Sequence, residues 1–145
     1  MYLFNSLVLF LFPGVQTRNV GLQEYDTVFP PICNIPEYTW GEDGRVDQVI
    51  QEVRDLSECS ADPGPRVCTQ LACTDPGVAV FLCNDLDRAL EVDCGAVADY
   101  AQDIKDRCDN DPATMAESTQ GQEFDTGGWN VIVGGTHLGT GGCVV

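Results

Sequence analysis

The residues of this chain best equipped for chemistry are its eight cysteines: Cys33, Cys59, Cys68, Cys73, Cys83, Cys94, Cys108 and Cys143. Thiols can ligate a metal, cycle between redox states or pair as disulfides, and spacing and compartment separate these uses. Structural zinc sites set their ligands in close Cys-x2–4-Cys pairs, commonly with histidine nearby. Here only Cys68 and Cys73 come that close, with four residues between them, and the chain has one histidine. An even cysteine count behind an apolar N-terminus reads instead as four disulfides in an oxidising compartment. Eight cysteines allow roughly a hundred connectivities, and the spacing selects none of them.

Other constellations are weaker. Asp125-Thr126-Gly127 carries the letters of an aspartic-protease triplet. Such enzymes need two carboxylates sharing a proton, so a chain this short would have to dimerise. The triplet follows Gln122-Glu123-Phe124 and precedes Gly128, which suits a glycine turn leading into a strand. His137 stands in a glycine-rich tail, and none of Ser57, Ser60 or Ser118 lies in a Gly-x-Ser-x-Gly elbow, so no nucleophilic triad assembles. Asp106 with Asp109 and Asp111, and separately Asp85 with Asp87, could offer oxygens to calcium, but neither set has the spacing or the glycine of an EF-hand loop. Any two of the 23 acids could form a glycosidase pair, and no pair stands out. Tyr38, Trp40, Tyr100 and Trp129 could stack on sugars, though their spacing suits core and arm packing equally. No catalytic, cofactor-binding or metal-ligating residue is assigned, and no cofactor is expected.

Compartment and partners follow from the N-terminus and the charge. Tyr2 to Phe12 are apolar apart from Asn5 and Ser6, and Pro13-Gly14 breaks the run. That is too short to cross a bilayer, which takes about 20 residues, but it matches the apolar region of a signal peptide. Residues 1–17 are expected to be that signal, ending at Val15-Gln16-Thr17, with the protein extracellular and not inserted in a membrane. About 128 residues remain, enough for one domain with its own core. They keep all seven basic and 23 acidic side chains. A net charge of −16 repels phosphate backbones, so nucleic acid is not an expected partner. The expected partner is an extracellular protein or glycan, met by a monomer.

The cysteines must be carried by a small set of elements. Residues 18–40 hold Pro30, Pro31 and Pro36 among apolar side chains and read as an extended arm pinned by Cys33, with a short edge strand. Val46, Val49, Ile50, Val53 and Leu56 recur at helical spacing, Cys59 continues the stripe, and Glu42 and Asp43 suit a helix N-terminus. Three strands follow as a meander: Arg66 to Cys73, the continuous apolar run Val78 to Cys83, and Ala89 to Val92. Asp75-Pro76-Gly77 and Asn84 to Asp87 make the turns. A second helix places Val97, Tyr100, Ala101, Ile104 and Cys108 on one face, with Asp93 as N-cap and Lys105 and Arg107 near its end. Residues 109–123 read as a polar loop, Trp129 to Val133 as a last strand, and 136–145 as a glycine-rich tail. The expectation is an α+β two-layer sandwich over 41–135, with two helices on one face of a mainly antiparallel sheet of about four strands. Disulfides should tie each helix to the sheet, with three bridges bracing the sandwich and a fourth joining Cys33 to Cys143.

Cys68-x4-Cys73, Val80-Phe81-Leu82-Cys83-Asn84-Asp85, the run from Cys94 to Ile104 and the run from Gly121 to Val133 together resemble small secreted cysteine-rich proteins of filamentous fungi. More loosely, they are similar to the killer-toxin-like and necrosis-inducing effector families of that group. The resemblance covers roughly residues 45–135 and implies a signal peptide, disulfides and a two-helix, antiparallel-sheet sandwich. It supplies no functional residue, and the acidic charge departs from the basic character of some killer toxins. The function it implies is that of a non-catalytic effector or toxin-like factor that binds an extracellular or host macromolecule. The rival expectations are a small extracellular hydrolase using paired carboxylates and an inhibitor of secreted host enzymes.

Overall fold

The computed structural model describes residues 29–74, 77–109, 117–135 and Cys143. The proposed signal at 1–17, residues 18–28 of the arm, Asp75, Pro76, residues 110–116 with Asp111, and the tail with His137 but without Cys143 lie outside the described residues.

Helix α1 (Asp43–Arg54) is built on the expected stripe, with Val46, Val49, Ile50 and Val53 buried and Asp43 in its first turn. It stops before Leu56, which is exposed, and Asp55 is its C-cap. Cys59 therefore does not extend the helical stripe. It opens a short strand, β3 (Cys59–Ala61). Helix α2 (Cys94–Arg107) begins as expected: the Asp93 carboxylate accepts from the Ala96 N–H at 2.9 Å. Val97, Tyr100, Ala101 and Ile104 are buried, and Lys105 and Arg107 stand in the last turn.

The largest sheet is antiparallel and has five strands in the order β1-β8-β9-β5-β4. These are β1 (Ile32–Cys33), β4 (Val67–Thr74), β5 (Val78–Asn84), β8 (Gly121–Asp125) and β9 (Trp129–Gly135). The apolar run of β5 lies inside the sheet, paired with β9 on one side and with the edge strand β4 on the other. Two expectations are overturned here. β6 (Leu90–Val92) does not complete a meander but pairs with β3 in a separate ribbon. Residues 118–123 are not loop: β7 (Ser118–Thr119) pairs with β2 (Gly41–Glu42), and β8 makes a hairpin with β9.

The fold is α+β, with two helices, a mainly antiparallel sheet and four disulfides. Helix α1 packs against β4 and β5, α2 packs against β8, β9 and β1, and the helices touch each other. Their stripes share one core with Val78, Val80, Leu82, Trp129, Val131 and Val133. Each such side chain contributes about 1.5–3 kcal/mol of burial. Among the described residues, no helix is long and apolar enough to cross a membrane.

All eight cysteines pair, as Cys33–Cys108, Cys59–Cys94, Cys68–Cys83 and Cys73–Cys143. The expected Cys33–Cys143 bridge is replaced by two separate anchors. Cys33–Cys108 ties edge strand β1 to the end of α2, and Cys73–Cys143 ties the tail to β4. Of the two helices, only α2 is bridged: Cys33–Cys108 ties its end to the sheet, and Cys59–Cys94 ties its first residue to β3 of the separate ribbon.

Candidate functional site

The β3–β6 ribbon leaves the sheet because the chain after α1 and the chain before α2 meet at Cys59–Cys94. Both sulfurs are buried there. The register pairs Cys59 with Val92, Ser60 with Glu91 and Ala61 with Leu90. Successive side chains alternate between faces, so Ser60 and Glu91 point opposite to the buried Cys59 and Ala61. Asn84 fixes the loop beside the ribbon. It is fully buried, its Nδ2 donates to the carbonyls of Asp62 (2.9 Å) and Arg88 (2.7 Å), and its Oδ1 accepts from the Leu86 N–H (2.8 Å).

Two open clefts flank this ribbon. One, of about 670 Å³, lies between the end of α1 and the start of α2 and is lined by Arg54 to Glu58 on one wall (Asp55 excepted) and Glu91 to Gly95 on the other. The second, of about 510 Å³, includes Ser60, Asp62, Thr69 and Leu90. Glu58 and Glu91 line both, so the clefts adjoin. Asp62 and Asp93 add two further acids to the walls. Arg54 is the basic residue of the linings, and its guanidinium donates to Asp99 at 2.7 Å. The surface therefore offers carboxylates to a cation while its own cation is already paired.

The residues weighed for chemistry in the sequence are dispersed by the fold. Asp125-Thr126-Gly127 forms the β8–β9 turn, where Gly128 has φ +81° and the Asp125 Oδ2 accepts from the Tyr100 hydroxyl at 2.6 Å. Asp85 accepts from Asn130 and Asp106 from Gln102, so these acids are held by amides. Among the described residues, no group of three or more His, Cys, Asp or Glu could hold a metal ion. The aromatics form two separate pairs: Tyr38 with Phe81 at 5.6 Å between centroids, and Tyr100 with Trp129 at 4.9 Å. Phe81 alternates with the core residues of β5 whereas Trp129 belongs to the core, so the pairs do not make one sugar platform.

Two acids with raised pKa values escaped the sequence reading. Glu123 in β8 is only 2% exposed, and its Oε2 has no hydrogen-bond partner among the described residues. Burial, then the neighbouring Asp103 of α2, pushes its pKa up to about 7. Asp43, at the start of α1, is also raised by burial and by Asp109, although the Thr119 hydroxyl donates to it at 2.9 Å. Their only sequence signal is an acid at an inward-facing position, visible once strand and helix registers are known. Glu123 lines neither cleft. No family model, no curated protein and no solved structure matches this chain.

Proposed function

We propose that this is a secreted protein that acts by binding, without turnover, and that it takes a basic surface of an extracellular or host macromolecule in the clefts beside β3–β6. The carrying observation is that Glu58 and Glu91 stand between two adjoining clefts whose lining cation is neutralised by Asp99. In this reading the helices and sheet form two packed layers, and the four disulfides hold that frame rigid in an oxidising compartment. A rigid frame lowers the ordering cost of association. The resemblance to fungal effectors and toxin-like factors supports the same role, and inhibition of a secreted host enzyme is one form of it.

The Glu123–Asp103 pair favours the alternative of a paired-carboxylate hydrolase, since a raised carboxyl beside a second acid is how such sites work. Burial weighs against it: a carboxyl 2% exposed has little surface for a substrate to touch. Capture experiments separate the two. The oxidised protein, immobilised and exposed to plant or fungal extracellular fluid, is expected to retain a specific basic partner intact. A cleaved glycan or peptide would overturn the binding reading.

A further inference from the structure

The four bridges constrain the chain unequally. Cys59–Cys94 joins β3 to α2, Cys33–Cys108 joins β1 to the end of α2, and Cys73–Cys143 joins β4 to the tail. Each reaches from a strand to a helix or to the tail. Cys68–Cys83 does not: its cysteines stand opposite each other in β4 and β5, whose own ladder runs from Val67↔Asn84 to Thr74↔Val78. It also closes the shortest loop, with a sequence separation of 15 against 35, 70 and 75. Loop closure restricts the unfolded chain less as the loop shortens, so this bridge adds least to a fold its strands already hold.

Access distinguishes its two sulfurs. Val80 and Leu82 of β5 enter the core, so Cys83 and the opposed Cys68 lie on the face turned away from the helices. Cys68 is exposed on the edge strand, whereas Cys83, one strand further in and opposite Asn130 of β9, is 2% exposed. A thiolate can therefore arrive at Cys68 and not at Cys83. Cys33 is exposed too, but opening its bridge would release the two-residue strand β1 from α2.

We propose that Cys68–Cys83 is a thiol-exchange site, with thiols as its substrate class. The incoming thiolate bonds to Cys68 Sγ, the Cys68–Cys83 bond breaks, and its electron pair leaves on Cys83 Sγ, which takes a proton from solvent. The product is a mixed disulfide on Cys68 beside a reduced Cys83. Two steps can follow. The Cys83 thiolate attacks Cys68 Sγ and expels the thiol, which restores the bridge. Alternatively a second thiol attacks the sulfur of the first, which oxidises the two to their disulfide and leaves Cys68 and Cys83 reduced. The β4–β5 ladder keeps Cys83 opposite Cys68 throughout, so it serves as the resolving thiol. The inference goes beyond the binding reading and does not depend on it.

The test exposes the full, oxidised chain to reduced glutathione, quenches samples with acid at intervals, alkylates them and maps the peptides. The first adduct should carry glutathione on Cys68, on the order of tenfold over Cys83, with the other six cysteines still bridged. In the later species reduced at Cys68 and Cys83 alone, the Val80 to Leu82 amides should keep their hydrogen-exchange protection. The variant Cys68→Ala/Cys83→Ala should fold and form no early adduct. Glutathione mainly on Cys83, first opening at another bridge, or loss of Val80 to Leu82 protection once this bridge opens would each overturn the proposal. So would a double variant that does not fold, since the bridge would then be structural.

Discussion

Gln120 is 1% exposed, and its side chain replaces the strand partners that the arm lacks. Its Nε2 donates to the carbonyls of Ile35 and Tyr38, and its Oε1 accepts from the Ile35 N–H. One amide thus satisfies three backbone groups of a proline-rich segment that cannot form a regular ladder. Truncation would leave the Ile35 N–H and the Tyr38 carbonyl without this partner, whereas the Ile35 carbonyl keeps the Tyr38 N–H at 3.1 Å; each lost partner costs about 1–3 kcal/mol where water cannot reach it. Gln120→Ala is therefore expected to lower unfolding free energy by about 2–4 kcal/mol in urea titrations, and a loss below 0.5 kcal/mol would contradict this role. Gly64 makes the opposite use of a small residue. Its N–H donates to the Leu86 carbonyl at 2.6 Å, and a Cβ there would run into the Asn84 carbonyl oxygen.

At the scale of elements, legibility followed the burial pattern. Helix α2 was readable because its stripe, cap and closing cations agree, and β5 because an apolar run buried throughout needs no periodicity. β8 was hidden because its inward positions are Gly121 and Glu123, so the alternation that reveals a strand lacks its apolar half. The ribbon of β3 and β6 was hidden for a different reason. Leu56 and Cys59 continue a helical spacing by letter, but Asp55 ends the helix and Cys59 is held by Cys94 from another element. Covalent partners of that kind leave no trace in spacing, which is also why the joining of Cys33 to Cys143 was wrongly expected. The bridges also differ in access. Cys68 is exposed on edge strand β4, whereas Cys59 and Cys94 are 0% and 6% exposed. Under limiting reductant, attack on a disulfide requires reach to its sulfurs, so Cys68 and Cys83 should be alkylated before Cys59 and Cys94. Peptide mapping of partially reduced protein checks the order, and the reverse order would contradict the placement of these strands.

For the whole molecule, 23 acids against seven bases leave an excess of negative charge that four described ion pairs do little to offset. All four are surface pairs, each worth about 0–1 kcal/mol. Such a surface discourages self-association and steers cationic partners inward over about a Debye length, roughly 8 Å in physiological salt. The disulfides let the frame bear this repulsion, since removing a native bridge typically costs about 2–5 kcal/mol. Net charge alone does not choose a site; the proposed binding reading takes it from the adjoining clefts and the Glu58 and Glu91 that line both. The most direct measurement is the affinity of the captured partner for the oxidised protein and for the double variant Glu58→Lys/Glu91→Lys, compared at equal thermal stability. The binding account predicts at least a tenfold loss, about 1.4 kcal/mol, with the partner left chemically intact. Equal affinity of the two proteins, or a partner released in cleaved form, would contradict it.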